Sequence, residues 1–316
     1  MRFVCADGEP QYRPLLDQEL LAQIEADGHE LVWHDAAPET TEEWIERVHN
    51  ADGMLLFWRL PPDVIRATPT LRVISFVGTG IEMYIEIDEA RAGGVTLSNV
   101  PSYGANAIAE HAVALLFAVA RRVTERDRAV RDGSWLQDES LELRGRRLGV
   151  VGAGPIGTRM IELGQALGMR VVCWTRTRTR ERERELGVPL VELDELFSSS
   201  DAVSLHLAVT PETEGIVDRS LLGLLPPHAI VINTARGALI DEHALAELLD
   251  AGELGGAGVD VLGTEPPPPT HPLLNAPRVV ITPHVAFHTS EASRELLRIS
   301  LANLLAYARG EPQNVR

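Results

Sequence analysis

The chain has 316 residues, about twice a typical domain length, and is read as two domains. A formal net charge of −17 leaves no basic face for sequence-independent nucleic-acid binding and no attraction to anionic lipid. All 29 basic residues are arginine, which excludes lysine Schiff-base chemistry and phosphate loops that need a lysine.

No run reaches the ~18 apolar residues of a membrane span. The longest apolar stretch, Ala112 to Ala120, ends at Arg121 and Arg122. The opening Met-Arg-Phe-Val-Cys-Ala-Asp reads as a strand and lacks the apolar core of a signal peptide. Cys5 and Cys173 cannot build a disulfide framework or a four-ligand zinc site, so the expected compartment is a reduced cytoplasm and no metal is expected.

In chain order, strand patterns fall at Phe3–Ala6, Glu30–His34, Gly53–Phe57, Leu71–Val77 and Thr96–Asn99, with helical patterns between them such as Pro14–Asp27. The longest helical pattern runs without Gly or Pro from Ala105 to Asp132. A second alternating set follows, with strands at Leu148–Val151, Val171–Trp174, Ala202–Leu207, Ala229–Thr234, Gly258–Val261 and Val279–Thr282. A last helix, about Ser290 to Arg309, is apolar on both faces and is expected to pack between lobes. Alternation of this kind makes parallel sheets with crossover helices, and two such lobes imply a cleft where ligands sit. Residues 1–98 hold 18 acidic side chains against 7 arginines, so the first lobe carries most of the negative charge.

The segment Leu148-Gly-Val-Val-Gly-Ala-Gly-Pro-Ile-Gly157 places Gly152, Gly154 and Gly157 as GxGxxG between a strand and a helix. The first glycine allows the tight turn, the second lets backbone approach a pyrophosphate, and the third lets helix pack on strand. A dinucleotide site is expected there. At the end of the next strand an NAD enzyme usually has an acid for the ribose hydroxyls. Here the residues are Trp174-Thr175-Arg176-Thr177-Arg178, and residues 170–184 hold six arginines against two glutamates. Thr175, Arg176 and Arg178 supply what a 2′-phosphate needs, so NADP(H) is favoured over NAD(H). A solvated helix start accounts for Arg180, Arg182 and Arg184.

Three further segments lie at or just past strand ends: Asn233-Thr234-Ala235-Arg236-Gly237, Gly263-Thr264-Glu265-Pro266 and Pro283-His284-Val285-Ala286. That edge is where open α/β sheets bind ligands. An arginine there grips a substrate carboxylate and polarises the neighbouring carbonyl. A histidine moves the hydroxyl proton, a glutamate behind it fixes its tautomer, and a nicotinamide provides the hydride.

With these motifs in this order, the chain resembles the D-isomer-specific 2-hydroxyacid dehydrogenase family, which includes glyoxylate and hydroxypyruvate reductases, along essentially its whole length. The resemblance implies an α/β fold of two doubly wound parallel-sheet lobes. One is a flavodoxin-like substrate domain of residues 1–98 plus 287–316, the other a Rossmann cofactor domain of residues 99–286. It also implies a homodimer built largely through the long helix. By position, Arg236 matches the substrate-binding arginine, and Glu265 and His284 match the acid–base pair. Thr79 and Gly80 match the loop whose amides hold the substrate carboxylate. Asp260 matches an acid near the nicotinamide amide, Thr234 and Ala235 the residues beside its ribose, and Pro155 and Ile156 those at the pyrophosphate. The segment Ile81 to Asp88 departs from the family pattern and looks one residue longer.

The implied activity is hydride transfer between NADPH and a small 2-keto or 2-hydroxy acid such as glyoxylate or hydroxypyruvate. The alternatives are a phosphite- or phosphoglycerate-type dehydrogenase and a dinucleotide-sensing corepressor-like protein. Among the other histidines, His111 reads as a packing or interface residue and His206 as standing at the cofactor edge. His288, four residues after His284, lacks an evident third metal ligand.

Overall fold

The computed structural model describes residues 1–135 and 137–316, with Met83 described by its backbone only. The chain divides into two units, Met1–Gly104 with His288–Arg316, and Ala105–Phe287. The first crossing therefore comes six residues later than the resemblance implies. Past the fifth strand the chain is still held by the first unit, because Asn99 N–H donates to Asn314 O and Val100 N–H to Gly78 O.

The first unit holds β1 (Arg2–Cys5), β2 (Glu30–Trp33), β3 (Gly53–Leu56), β4 (Val73–Phe76) and β5 (Thr96–Ser98). All are parallel, in the order β2-β1-β3-β4-β5. β3 and β4 are buried along their whole length, as central parallel strands covered on both faces must be. Asp17 caps the helix Gln18–Ala26, so the proline-led segment expected to open that helix is instead a 3-10 turn, Arg13–Leu15. The last helix, Ser290–Ala308, is capped by Thr289. Its Leu297, Leu301 and Leu304 pack with Phe3, Leu55 and Val73, so it belongs to the first unit's core.

The second unit holds β6 (Arg147–Val151), β7 (Arg170–Trp174), β8 (Ala202–Leu205), β9 (Ile230–Asn233), β10 (Gly256–Val259) and β11 (Val279–Ile281). They are parallel in the order β11-β10-β9-β8-β6-β7, and Leu190 adds a single parallel bridge beside Cys173 of β7. Strand order reverses between β6 and β8 here, and between β1 and β3 in the first unit. These are the switch points where such sheets bind ligands.

The long helical pattern is broken in two, Ala105–Ala120 and Val123–Arg131, although no Gly or Pro interrupts it. Arg122 takes a left-handed backbone, φ 52°, and its guanidinium pairs with Glu125 and Asp138. The helix stops where its apolar run stops. Leu141 N–H meets Ala120 O, and no side chain of Val123–Arg131 is buried.

Candidate functional site

The glycine turn follows β6 directly. Gly152 has φ +102°, and a Cβ there would lie 2.5 Å from His206 O. A Cβ on Gly157 would lie 1.9 Å from Gly152 O. The protein's own packing demands both. Gly154 is different: a Cβ there would meet nothing within 4 Å. The space in front of it belongs to a cavity of about 580 Å³ lined by Asn106, Pro155, Thr158, Arg159 and Arg182. Pro155 opens the helix Pro155–Ala166, with Ile156 in its first turn, so free amide N–H groups and the positive helix end meet this cavity. An anionic pyrophosphate fits that chemistry, and it explains a glycine which the fold itself does not require.

The arginine corner is arranged differently from its sequence reading. Thr175 and Arg176 lie just past β7, with Arg176 exposed. Arg178 pairs with Glu192 at 2.8 Å and donates to Thr175 O at 3.4 Å. Arg182, expected on a solvated face, is half-buried. Its Nη2 donates to Ala153 O, the middle residue of the glycine turn, at 2.6 Å. Thr179 caps the helix Arg180–Leu186 by accepting from Arg182 N, which fixes the helix start from which Arg182 reaches the turn.

Three strand ends then carry the acid–base and arginine groups. At the end of β9, the fully buried Asn233 staples the next loop, its Oδ1 accepting from Ala235 N at 3.0 Å and its Nδ2 donating to Arg236 O at 2.9 Å. Thr234 is buried within that loop, and its Oγ1 has no hydrogen-bond partner. Arg236 is half-buried and donates to Ala235 O at 2.7 Å. Gly237 is pressed against the loop after β10, since a Cβ there would lie 2.1 Å from the carbonyl carbon of Leu262. In that second loop Glu265 Oε1 accepts from Leu262 N at 2.8 Å, while Oε2 meets His284 Nδ1 at 2.7 Å. Holding Nδ1 leaves Nε2 as the nitrogen for proton exchange with a substrate. Both side chains are a little over a third exposed and so accessible to a solute.

His284 sits in a left-handed backbone, φ 53°, which costs on the order of 1–3 kcal/mol for a non-glycine residue and persists only when its surroundings over-determine it. Asp260 does so. Its carbonyl accepts from His284 N at 2.8 Å. Its carboxylate, 1 % exposed, accepts from Val285 N at 3.0 Å, from Ala286 N at 2.8 Å and from the Thr282 hydroxyl. Asp260 was expected at the cofactor; what the structure places around it is the turn that carries the histidine.

His206, past β8, lies against the glycine turn. Its Nε2 meets Ser204 Oγ at 2.8 Å, and its Nδ1 is buried without a partner. Burial pushes its pKa down to about 3, so the ring stays neutral. Cys5 and Cys173 are buried, and burial raises both thiols, Cys173 to about 12, which makes them poor nucleophiles. Among the described residues no group of three or more His, Cys, Asp or Glu is placed to hold a metal ion, and no helix is long and apolar enough to cross a membrane.

Thr79 and Gly80 belong to the first unit. Thr79 Oγ1 donates to Val100 O at 2.8 Å, and its carbonyl accepts from Asn99 Nδ2 at 2.5 Å. The departing segment after Gly80 forms a 3-10 turn, Ile81–Met83, and then the helix Ile87–Ala92, with Ile81 and Ile85 buried. Sequence reasoning missed Asn233 and Gly237. Both flank Arg236 closely, and an asparagine ending a buried strand was a usable signal.

A glycine turn that leaves room for a pyrophosphate, with a carboxylate-held histidine and an arginine on the same sheet edge, defines a nicotinamide-dependent dehydrogenase. The family model described as the D-isomer specific 2-hydroxyacid dehydrogenase NAD binding domain matches residues 113–286. The chain is 36% identical over 304 residues to a glyoxylate reductase of Korarchaeum cryptofilum, covering 93% of this chain and 91% of that one. It is 32% identical over 301 residues to a hydroxypyruvate reductase of Blautia hydrogenotrophica, covering 92% and 93%. Among solved structures, an acyclic imino acid reductase in complex with NADPH and D-Arg superposes with a TM-score of 0.85 at 30% identity, covering 100% of both chains. The chain belongs to the D-isomer-specific 2-hydroxyacid dehydrogenase family, and it is an NAD(P)-linked oxidoreductase acting on the CH–OH group of hydroxy acids.

Proposed function

We propose that this enzyme reduces a small 2-keto acid, of the glyoxylate or hydroxypyruvate kind, with NADPH in preference to NADH. The observation that carries the reading is the His284–Glu265 pair at 2.7 Å, with Arg236 on the loop that packs against the one bearing Glu265. Arg236 binds the substrate carboxylate as a planar fork and draws electron density from the adjacent carbonyl. His284 Nε2 gives its proton to the carbonyl oxygen as that oxygen gains charge, while Glu265 keeps the ring oriented through Nδ1. Thr79 and Gly80, in the first unit, are assigned to substrate binding by their positions in the family pattern. Gly152, Gly154 and Gly157, with Pro155 and Ile156, hold the pyrophosphate; Thr234 and Ala235 serve the nicotinamide end, and Asp260 acts through the turn that carries His284. When bound, the nicotinamide supplies the hydride.

The preference for NADPH rests on cations. No carboxylate ends β7, and Thr175, Arg176 and Arg178 stand there instead. Arg182, held on the rim of the cavity beside Gly154, adds a third guanidinium. The named activities of the glyoxylate and hydroxypyruvate reductases support a short substrate. Phe117, Val123, Val130 and Trp135 are large apolar side chains exposed on or just beyond the helices Ala105–Ala120 and Val123–Arg131, which supports a homodimer through that region. Both cysteines are free and buried, which supports a reducing compartment such as the cytoplasm.

The test follows NADPH and NADH absorbance in parallel, with glyoxylate, hydroxypyruvate, phenylpyruvate and 3-phosphohydroxypyruvate. Faster oxidation of NADPH with a short keto acid is expected. Preference for NADH removes the phosphate reading and leaves the class. Silence with every keto acid, despite dinucleotide binding, moves the assignment to phosphite-type chemistry or to a sensor.

A further inference from the structure

His111, on the helix Ala105–Ala120, ends in a network that the reaction as described does not use. Its Nε2 lies 2.9 Å from Thr282 Oγ1 and 3.5 Å from Asp260 Oδ1. Thr282 has one hydroxyl hydrogen, and the buried carboxylate of Asp260 accepts it. His111 must then carry its hydrogen on Nε2 and donate to the threonine oxygen. Asp260 in turn gathers the amides of Val285 and Ala286, and its carbonyl accepts from His284 N. A side chain on a helix is thus joined by consecutive hydrogen bonds to the left-handed turn that presents the acid–base histidine.

We propose that His111 is a positioning residue for His284, holding Thr282 and Asp260 in the one arrangement that keeps the turn 282–286 in register with Glu265. The inference rests on the keto-acid reductase reading above for its rate measurement, but not for its structural one. Removing the donor frees the Thr282 hydroxyl to rotate, weakens the grip of Asp260 on the two amides and lets the ring of His284 wander. Misplacement of that size lowers the catalytic rate without changing what binds.

The experiment compares His111→Leu, His111→Gln, Thr282→Val and the double variant His111→Leu/Thr282→Val. Glutamine retains an N–H donor at similar reach, and leucine does not. The expected result is a kcat roughly tenfold to a hundredfold lower for His111→Leu, in the range of misplacement effects. The keto-acid KM and the NADPH dissociation constant stay within about twofold, and His111→Gln recovers most of the rate. The double variant is expected to be no slower than the slower single, because both remove one connected network. Hydrogen exchange read by mass spectrometry gives the activity-independent arm: the peptide spanning residues 284–287 loses protection in His111→Leu and keeps it in His111→Gln. A normal kcat in His111→Leu, equal loss in the glutamine variant, multiplying losses in the double variant, or unchanged exchange would each overturn the proposal. If the leucine variant does not fold, Thr282→Val and His111→Gln/Thr282→Val carry the same comparison, with equal rates expected and a further loss overturning it. Inactivity of the wild type with every keto acid sinks the reductase reading instead, and the exchange arm still decides the positioning role.

Discussion

The two sheets begin with the same winding order, yet their switch points are closed by opposite chemistry. In the first unit the carboxylate of Asp7, just past β1, accepts from Phe57 N and Trp58 N, just past β3, at 2.7 to 3.2 Å. In the second, the equivalent gap between β6 and β8 is closed by the glycine turn against His206. Burial raises the Asp7 carboxyl to about 6 and lowers the His206 imidazole to about 3. An acid and a base in matching places are thus both pushed toward their neutral forms. The difference lies in what is left free. Asp7 spends its acceptors on the amides of Phe57 and Trp58, whereas the second switch point keeps Gly154 and the helix end open to a cavity that Arg182, paired with Glu185 at 2.6 Å, helps to line. Similar winding places the edges, and the side chains decide which edge is a closed joint and which a binding turn.

The sharpest division between the units is catalytic. His284→Ala should lower turnover by ~10²-fold or more while NADPH still binds, the loss expected of a general acid. Normal turnover in that variant would remove the histidine from the mechanism. Next come the glycines. Gly154→Val should leave thermal stability near wild type and abolish measurable dinucleotide binding, because its side chain enters only the cavity. Gly157→Ala should instead destabilise the fold, since its Cβ has a carbonyl oxygen 1.9 Å away. Equal stability loss in both would erase the distinction between packing and ligand glycines.

The pH dependence of stability should run in opposite directions at the two joints. Asp7 binds its proton more tightly folded than unfolded, so its contribution falls as pH rises from about 4 to about 6. His206 binds its proton less tightly folded, so its contribution is lost as pH falls from about 6.5 toward 3. Urea unfolding of Asp7→Asn and His206→Asn across pH 4 to 7 should therefore remove slopes of opposite sign, with Asp7 worth on the order of 2–3 kcal/mol over its window. Slopes of the same sign would refute the pairing. The smallest effect concerns the corner: Arg182→Ala should weaken NADPH about tenfold by fluorescence titration and NADH hardly at all, the loss of one charge-assisted contact to phosphate. Equal weakening of both would assign Arg182 to the turn rather than to the 2′-phosphate.

Much of the second unit's site was legible in the residues. Its glycine spacing, the arginine after β9 and the histidine after β11 each stand at a strand end, and period and punctuation carry that information. The supports were not legible. Asn233, Gly237 and the His111 network act through contacts between segments distant in sequence, which no local pattern encodes. The helix break at Arg122 escaped for a related reason: nothing in its composition opposes a helix, and the left-handed residue is set by ion pairs to Glu125 and Asp138 together with the end of the buried face.

The sequence by itself determined the alternation of strands and helices, the glycine turn after β6, the arginine, glutamate and histidine near strand ends, and the absence of an acid after β7. These follow from local periodicity and from residue types that chemistry uses for few other purposes. Tertiary structure alone decided that Asp260 holds the turn of His284, that Arg182 rather than Arg178 meets the glycine turn, and that Asp7 locks the first sheet's switch point. Each depends on where a side chain ends after the chain has crossed over, and a carboxylate or guanidinium can serve several partners until packing leaves it one.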